Sequence, residues 1–364
     1  MNDKPMENEK KSQSTLAGVI GQTRRRAREG HLSVPRQLIE MAVLKLVYGL
    51  GPGHYHTARY WRKGLPWRFK TGFWPYARYR RFVATLNPPV YQKLSQNKIS
   101  EKALLQLLNI PSPRFVGRLH SRYGVSFAGG PLTSAGDLQQ LLLANPGLDR
   151  LCFKLVEGYG GRGFQAIQCI RDGELTVELL DTGRRLSVPD FLSGVLDIGA
   201  GTDYLIEEYI TQHPQLASLN PSSVNTLRVF AYCKDGETAV MDAFLRVGRR
   251  GSLVDNTSRG AQIFRLDRQS GVIGQGLGKD IFNEVFENHK DSGERITGRN
   301  LPFWHESLEL AQRTVAVFPN IMFAGLDIAI TAGGPVVIEM NVEPDPTAAI
   351  TFDRSHAEIF ACLK

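Results

Sequence analysis

Hydrophobic and polar positions along the chain follow two different periods, which predict a mixture of helices and strands. Apolar residues recur at intervals of three and four over 35–48, the spacing of one face of an amphipathic helix. Pro35 suits the first turn of that helix. Further helices are predicted over 99–108, where Ser100 is the expected N-cap, and over 303–317.

Short apolar runs predict the strands. They cover 151–156, 164–170, 204–210, 226–233, 239–247, 323–330 and 336–340. The fourth and fifth runs flank Lys234-Asp235-Gly236 and are expected to form a hairpin. The last two runs are joined by residues 332–335 and predict a second hairpin. Paired long strands with helices between them indicate a mixed α+β architecture, and the simple strand–helix alternation of a doubly wound fold is missing.

Charge is distributed unevenly along the chain. Residues 1–90 hold 17 Lys and Arg against 5 Asp and Glu, a net charge of +12, so the remainder carries −4 of the total of +8. Residues 1–20 are polar and are expected to be a disordered tail. A basic, aromatic, helical segment over 21–94 should follow, and then two α+β parts over 95–200 and 201–364.

The basic N-terminal segment has three interpretations. We expect a helical cap that packs on the rest of the chain and buries its aromatic residues. The first alternative is peripheral contact with an anionic membrane surface through residues 21–90, using the 35–48 helix and its basic flanks. The second is nucleic-acid binding by interleaved arginines and aromatics, but nucleic acid is not the partner we expect, since no recognised binding motif is present.

Composition is typical of a globular protein in a reducing compartment. Hydrophobic residues make up 42% and charged residues 22%. No run of 18 apolar residues predicts a transmembrane helix, and the N-terminus lacks the apolar region of a secretory signal. Four cysteines, at 152, 169, 233 and 362, fit no paired-cysteine or zinc spacing. We therefore expect a cytoplasmic protein with reduced thiols, the alternative location being the inner membrane surface.

Three polar residues near the C-terminus are candidate metal ligands. Asp327 lies in one apolar run, and Glu339 and Asn341 lie in or directly after the next. In a hairpin Asp327 could sit beside Glu339, and residues two apart share one face of a strand. Unpaired charges are costly in apolar strands, and three oxygen ligands on one face suit Mg²⁺, which takes further ligands from water and phosphate. Ordinary exposed acids on a hairpin are the alternative.

A glycine-rich segment follows a lysine-bearing strand. Lys154 precedes glycines at 158, 160, 161 and 163. Glycines let backbone N–H groups approach phosphate oxygens closely, and a lysine supplies a positive charge for the same oxygens. The segment is neither a Walker A loop nor a Rossmann turn, because no helix begins directly after it. An ordinary glycine-rich hairpin loop is the alternative.

The run that ends at Ile210 is a candidate adenine site. Glu207 and Glu208 lie in this run, just before the chain enters a linker. Backbone groups at such an edge could pair with an adenine ring. A strand end with exposed glutamates is the alternative.

Three arginines accompany the central hairpin. Arg228 and Arg246 are embedded in its apolar strands, and Arg259 follows in the polar loop 255–261. Arginines held in this way usually face an anionic ligand or an ion pair. The sequence therefore indicates either phosphate or acyl-phosphate contacts or structural ion pairs.

Taken in order, these motifs resemble the ATP-grasp superfamily, and most of all its sugar-transfer-associated and glutamate-ligase-like groups. The resemblance covers roughly residues 95–364 and includes the Asn97-Lys98 pair before the helix that ends at Ile110-Pro111. It implies an ATP-grasp fold, in which two α+β subdomains grip ATP, here with a helical basic N-terminal extension. Many relatives carry an α/β domain at that place, and proline usually follows the strand lysine, where this chain has Leu155.

The resemblance also implies roles for the motifs. Contacts to ATP would come from Lys98, Lys154, the loop with Gly160, Gly161 and Gly163, and a hinge of Glu207, Glu208 and Ile210. One or two Mg²⁺ ions would be held by Asp327, Glu339 and Asn341. The phosphoryl group or its acyl acceptor would face Arg246 and Arg259, with Arg228 beside them.

The activity implied by the resemblance is ATP- and Mg²⁺-dependent ligation. A substrate carboxylate attacks the γ-phosphate of ATP to give an acyl phosphate and ADP, and an amine then displaces phosphate and forms an amide. The carboxylate could belong to a sugar, a polysaccharide, an amino acid or a peptide. The alternatives are a kinase that phosphorylates a hydroxyl and a non-catalytic protein that binds nucleotide or an anionic surface. We find no Ser-His-Asp or Cys-His arrangement, which fits a reaction without a protein nucleophile.

Overall fold

Two antiparallel sheets form the body of the protein. The computed structural model describes residues 16–158, 160–198 and 201–363, and within these residues each sheet has seven strands. The mixed α+β architecture predicted from the sequence is confirmed. Most of the predicted tail over 1–20 lies outside the described residues, and from Leu16 onward the chain is helical.

The N-terminal segment is a cluster of helices. They are α1 (Leu16–Arg28), α2 (Val34–Tyr48), α3 (Pro52–Thr57), α4 (Trp67–Thr71), α5 (Tyr76–Leu86) and α6 (Pro89–Gln96). The helix predicted over 35–48 is therefore confirmed. Gly49 ends it in the left-handed conformation, with φ of 71°, as glycine does at many helix C-termini.

Helix α7 (Lys98–Leu107) connects this cluster to the sheets. Its N-cap is Asn97, whose side chain accepts a hydrogen bond from the Ser100 backbone N–H. The prediction of Ser100 as the cap is wrong, because Ser100 already lies within the first turn. Asparagine caps a helix as well as serine does, so composition alone does not separate the two.

The first sheet has the strand order β2-β1-β7-β3-β4-β5-β6. The strands are β1 (Phe115–Leu119), β2 (Val125–Ser126), β3 (Arg150–Leu155), β4 (Gln165–Ile170), β5 (Thr176–Leu179), β6 (Arg185–Ser187) and β7 (Tyr204–Glu208). Helices α8 (Ala135–Ala144) and α9 (Val188–Phe191) share a core with one face of this sheet. β7 pairs with both β1 and β3, so the predicted division at residue 200 separates one strand from its own sheet.

The second sheet has the order β12-β11-β10-β9-β8-β13-β14. Its strands are β8 (Thr226–Lys234), β9 (Glu237–Val247), β10 (Gln262–Leu266), β11 (Ile273–Leu277), β12 (Val285–Phe286), β13 (Phe323–Thr331) and β14 (Gly334–Asn341), and the short helix α10 (Pro214–Ala217) precedes them. The predicted hairpins β8–β9 and β13–β14 are both confirmed. Helix α11 (Trp304–Val317) packs on one face of the sheet.

The N-terminal helices α1 to α5, which we call the cap, cover the opposite face of the second sheet. Their aromatic residues Tyr55, Tyr60 and Phe73 are at most 1% exposed and share a core with Phe230 and Phe244 of the sheet. Helices α12 (Ala348–Phe352) and α13 (His356–Ile359) join the same core. The predicted cap with buried aromatics is therefore confirmed. No helix in the described part of the chain is long and apolar enough to cross a membrane.

Asn87, between α5 and α6, fastens the cap to the sheet. Its side-chain nitrogen donates to the carbonyls of Phe323 and Val342, both at 2.6 Å. Its side-chain oxygen accepts from the N–H groups of Met322 and Phe323, at 3.0 and 3.1 Å. One buried side chain thus satisfies four backbone groups next to the β13–β14 hairpin.

Candidate functional site

A cleft of about 310 Å³ is lined by residues from both sheets. Strand β3 and the segment after it form one side, and strands β8, β9, β13 and β14 form the other. The predicted site residues that line it are Lys98, Lys154, Gly160, Gly161, Ile210, Arg228, Arg246, Asp327, Glu339 and Asn341. The fold therefore brings together residues that lie more than 200 positions apart in the sequence.

Asp327 and Glu339 are direct register partners on β13 and β14, as the hairpin pattern predicts. Asn341 follows two residues after Glu339 on the same strand and also lines the cleft. The Asp327 side chain is 5% exposed and that of Glu339 is 35% exposed. Among the described residues, no cluster of three or more His, Cys, Asp or Glu side chains is arranged to hold a metal ion. A cation bound here would therefore need an amide and outside ligands besides the two carboxylates.

Two arginines hold the Asp327 carboxylate. Arg228 lies opposite it on β8 and pairs with it through both Nε and Nη2, the latter at 3.0 Å. Arg246 Nη2 lies 2.9 Å from Asp327 Oδ2. Burial raises the pKa of Asp327, but the two arginines outweigh burial and lower it. Asp327 is therefore ionised, and its charge is partly balanced by neighbouring cations.

Arg246 has a second acidic partner, Asp255. Its Nε lies 3.4 Å from Asp255 Oδ2. Thr226 lies between them, because its hydroxyl accepts from Arg246 Nη2 at 2.6 Å and donates to Asp255. Burial lowers the pKa of Arg246, but Asp255 and Asp327 raise it above its usual value. Two arginines and two aspartates thus form one buried network at the cleft.

Thr226 and Asp255 line the cleft, although neither was among the predicted site residues. A signal for Thr226 was present in the sequence. Thr226 lies two positions before Arg228 on β8, and residues two apart share a strand face. Asp255 lies in the irregular segment between β9 and β10, where no such period exists.

Lys154 projects from β3 toward the cleft and pairs with Glu207 of β7. Its Nζ donates to Glu207 Oε2 at 2.6 Å, and Lys102 of α7 pairs with the other carboxylate oxygen. Glu207 is 0% exposed. Burial raises the pKa of Glu207, but Lys154 and Lys102 more than offset this and lower it. The carboxylate is thus ionised and holds Lys154 in place.

The predicted adenine hinge is only partly assembled. The Glu207 side chain points to the two lysines, and Glu208 pairs with Arg114 at 3.3 Å. Neither glutamate side chain lines the cleft, because Glu207 is engaged by the two lysines and Glu208, as the next residue of the strand, points to the opposite face of the sheet. Of the predicted hinge residues only Ile210 lines the cleft, and Tyr209, which was not predicted as a site residue, lines it next to Ile210.

The glycine-rich segment meets the loop after β9 across the cleft. Gly160 and Gly161 have φ of 68° and 70°, conformations that cost glycine little. A Cβ atom on Gly161 would lie 3.2 Å from the Val254 side chain. Gly163 does not line the cleft. A Cβ there would lie 2.9 Å from Leu155, so this glycine permits close packing against β3.

Arg259 is not brought into the cleft. It lies on a short 3₁₀ turn, Thr257–Arg259, and is exposed. Gly260 ends this turn in the left-handed conformation with φ of 85°, and the guanidinium is turned to solvent. The sequence pattern placed Arg259 beside Arg228 and Arg246, but a loop position carries no information about side-chain direction.

Lys98 and Glu101 connect α7 to both sides of the cleft. Lys98 Nζ donates to the Gly158 carbonyl at 2.7 Å and lies 3.9 Å from Glu339 Oε2. Glu101 accepts from the Met340 N–H at 2.5 Å. Burial, together with the nearby Glu339 carboxylate, raises the pKa of Glu101 to about 8. The first two turns of α7 therefore contact β14, the strand that carries the candidate metal ligands Glu339 and Asn341.

Comparison with known families supplies the identification. The model of a family described as sugar-transfer associated ATP-grasp matches residues 77–355, more than half of the chain. The chain belongs to this ATP-grasp family. The match begins within α5, so part of the cap and both sheets fall inside it. The resemblance drawn from the sequence motifs is confirmed.

Solved structures of ATP-grasp enzymes also resemble this family member. D-alanyl-alanine synthetase A from Vibrio cholerae is 14% identical over 76% of this chain, with a TM-score of 0.40. Biotin carboxylase from Campylobacter jejuni, in a β,γ-ATP complex, is 14% identical over 76%, with a TM-score of 0.43. The ligase PsnB, bound to a precursor variant, Mg and ADP, is 14% identical over 74%, with a TM-score of 0.35. This chain spans 62%, 48% and 60% of their lengths, in that order. Comparison with curated proteins gives no match.

The ATP-grasp cleft has groups that fit a nucleotide and a hard cation. Lys154 and glycine backbone lie on one side, the Glu339 carboxylate and the Asn341 amide lie on the other, and Lys98 lies close to Glu339. Asn341 Nδ2 is buried without a hydrogen-bond partner, so this amide has a donor free for a ligand oxygen such as that of a phosphate, whereas a cation would be held by its Oδ1 atom. Carboxylate and amide oxygens are the ligands that Mg²⁺ takes, together with phosphate.

Proposed function

We propose that this ATP-grasp protein is an ATP- and Mg²⁺-dependent ligase that joins a carboxylate to an amine through an acyl phosphate. The observation that carries the proposal is the cleft itself. Lys154 contributes positive charge on one side, Glu339 and Asn341 contribute oxygen ligands on the other, and Lys98 adds a second positive charge 3.9 Å from Glu339. A polyphosphate chain and its cation would thus find complementary groups on opposite walls.

The end of the cleft near Tyr209 suits the purine. Tyr209 and Ile210 contribute aromatic and apolar surface there. Arg150 lies over the Tyr209 ring at 4.8 Å and restrains it. Pockets for cofactors are commonly apolar with a few fixed polar groups. We therefore propose that this end takes adenine and that the lysines take the phosphates.

The arginine network suits the reacting end. In the proposed reaction a carboxylate oxygen of the substrate forms a bond to the γ-phosphorus, and the bond from that phosphorus to the β-phosphate oxygen breaks, releasing ADP. Arg228 and Arg246 are already oriented by Asp327 and Asp255. Charge held in advance stabilises a transition state without reorganisation. Mg²⁺, when bound, would neutralise the phosphate charge further.

A substrate attack on ATP needs no protein nucleophile, and the cleft is consistent with that. Cys152 lines it, but burial raises the pKa of its thiol to about 12. A protonated thiol is a poor nucleophile. In the second step the amine nitrogen attacks the acyl carbon, phosphate leaves, and the nitrogen loses a proton to solvent.

The cap contributes to the surface beside the cleft, which supports a role in acceptor binding. The Tyr76 hydroxyl donates to Glu343 at 3.2 Å, and Arg80 Nε lies 2.8 Å from the same carboxylate. Glu343 follows two residues after Asn341. The Tyr76 ring is 58% exposed and offers an apolar face on which a sugar ring could stack, and we propose a sugar or amino-acid carboxylate as the acceptor.

A screen for ADP release tests the proposed reaction. The purified chain would be given MgATP with pairs of carboxylates and amines, and the products would be identified by mass spectrometry. An amide that forms only when acid, amine and ATP are all present supports the ligase. A phosphorylated hydroxyl without an amide would establish the kinase alternative instead. MgATP binding without any turnover would favour a non-catalytic binding protein.

A further inference from the structure

The outer face of α2 is an exposed apolar stripe. Leu38, Ile39, Val43, Leu46 and Val47 are 46%, 61%, 37%, 85% and 68% exposed. At about 100° per residue they cover an arc of about 180° on one side of the helix. Scattered single apolar residues on a surface need no explanation, but a contiguous patch marks an interaction site.

The orientation of α2 is fixed by polar groups on its inner face. Glu40 is 3% exposed and accepts from Lys70 Nζ at 2.5 Å and from the Tyr55 hydroxyl at 3.1 Å. Gln37 is 0% exposed and donates to the carbonyls of Thr23 and Leu32. Turning the stripe inward would break these bonds and leave a buried charge without its partner, which is costly. The hydrogen bonds and the ion pair of Glu40 and Gln37 therefore keep the stripe facing outward.

Positive charge surrounds the stripe. Residues 16–90 contain 14 Lys and Arg against 2 Asp and Glu, a net charge of +12. On α2 itself the exposed residues Arg36 and Lys45 lie near the two edges of the apolar arc, and Arg36 pairs with the buried acidic residue of that helix, Glu40, at 2.9 Å. Charge complementarity thus points to an anionic partner surface.

An exposed aromatic residue lies beside the C-terminal end of α2. Trp67 is 39% exposed and its ring packs edge-on against Tyr48, with centroids 6.5 Å apart. Lys63 and Arg68, near Trp67 in sequence, are also exposed. Tryptophan and tyrosine are favoured where apolar acyl chains meet polar headgroups.

We infer that the α2 stripe docks on the surface of an anionic lipid bilayer, with the helix lying in the plane of the interface. A partly inserted apolar face flanked by lysines and arginines is the arrangement of interfacial helices, whose binding scales with apolar area and with attraction to anionic lipids. This inference goes beyond the proposed ligase activity and does not depend on it. It would bring the cleft to substrates at the membrane surface.

Vesicle binding tests the inference on the full chain. The probes are vesicles of phosphatidylcholine alone and of phosphatidylcholine mixed with phosphatidylglycerol. The readouts are co-sedimentation and tryptophan fluorescence, since Trp67 is the most exposed of the four tryptophans. We expect binding to the anionic vesicles, weakened by salt, and a blue shift of the emission. The I39Q/L46Q/V47Q variant should partition at least about tenfold more weakly, because three inserted side chains are lost.

A matched control separates this effect from general surface polarity. The L107Q/L143Q variant changes side chains that are 77% and 62% exposed elsewhere, and it should bind vesicles as the parent chain does. Equal binding by I39Q/L46Q/V47Q and the parent would overturn the inference. Absence of binding to anionic vesicles would also overturn the inference. If the parent chain is then a dimer and the I39Q/L46Q/V47Q variant is a monomer, the stripe joins two copies of the chain instead.

Discussion

Asp327 and Glu339 lie directly opposite each other on β13 and β14, yet their environments differ. Asp327 is enclosed by Arg228 and Arg246, whereas Glu339 is 35% exposed and has Lys98 at 3.9 Å. The same hairpin therefore carries one carboxylate that stabilises the fold and one that is open to a ligand. Substitution should separate these two roles.

The first prediction concerns stability. Asp327→Asn leaves two buried arginines without a full counter-charge, and breaking such a pair costs about 3–5 kcal/mol. Glu339→Gln should change the free energy of unfolding by no more than about 0.5 kcal/mol, as substitutions outside buried networks do. Urea denaturation of both variants measures the difference, and equal losses would contradict the contrast in environment.

The second prediction compares two lysines that share one partner. Lys154 and Lys102 both pair with Glu207, but of the two only Lys154 lines the cleft. Lys154→Met should weaken ATP binding at least about tenfold, since a direct charge on phosphate is lost. Lys102→Met should lower stability, because Lys102 also donates to the Pro113 carbonyl at 2.9 Å, while changing ATP affinity much less. Equal effects of the two variants on affinity would remove Lys154 from the proposed phosphate site.

The third prediction concerns the fastening of the cap. Asn87→Ala leaves the N–H and carbonyl of Phe323 and the carbonyl of Val342 without the partners that Asn87 supplies, at about 1–3 kcal/mol for each unsatisfied group. The Met322 N–H keeps the Leu86 carbonyl at 3.3 Å. A loss of about 3 kcal/mol or more in the free energy of unfolding is expected. Gln96→Ala, at an exposed position of α6, serves as the control and should be nearly neutral.

Removal of residues 1–90 extends this test of the cap. Truncation would uncover Phe230, Phe244 and Phe323, which share a core with the cap. We expect the shortened chain to aggregate. A soluble fragment with full activity would contradict the view that the cap is an integral layer of the fold.

The fourth prediction concerns acid stability. Burial lowers the pKa of His54 and of His356 to about 4, from 6.5. His356 Nδ1 accepts from the backbone N–H of Trp74 at 3.0 Å, and its Nε2 lies 3.1 Å from the Pro346 carbonyl. A neutral ring with its proton on Nε2 satisfies both contacts. Between pH 6.5 and about 4 the unfolded chain binds protons that the folded chain does not. Stability therefore falls as pH decreases through this window, by about 3 kcal/mol per fully titrated histidine.

Urea denaturation at a series of pH values measures that slope. His54→Phe removes one titrating group while keeping a ring against Tyr60 and Phe73, so the slope should decrease in this variant. An unchanged slope would mean that His54 is not among the groups that link folding to protons.

Local patterns predicted much of the fold, and long-range pairing explains most of what they missed. The apolar runs located both central hairpins and the period of three and four located α2. Nothing in the run over 204–210 says that it pairs between β1 and β3, because those partners lie about 90 and about 50 positions away, respectively. The division at residue 200 fails for that reason.

The site was predictable where strand geometry fixes direction. Asp327 and Glu339 face the same cleft because their strands pair in register. Arg259 and Glu208 were expected there and lie outside, since Arg259 is exposed on a loop turn and Glu208 points to the opposite face of its sheet from Glu207. The period of apolar residues in α2 predicts that its apolar side faces the core, but that side is exposed. The buried polar residues Glu40 and Gln37 determine instead which side faces the core.

Calorimetric titration with ATP is the most direct test of the central claim that the cleft holds MgATP. The parent chain should bind ATP in the presence of Mg²⁺ and bind it markedly more weakly when Mg²⁺ is chelated. Glu339→Gln should remove most of that Mg²⁺ dependence while the chain stays folded. A parent chain that binds no ATP with Mg²⁺ present, or a Glu339→Gln variant with undiminished Mg²⁺ dependence, would contradict the claim.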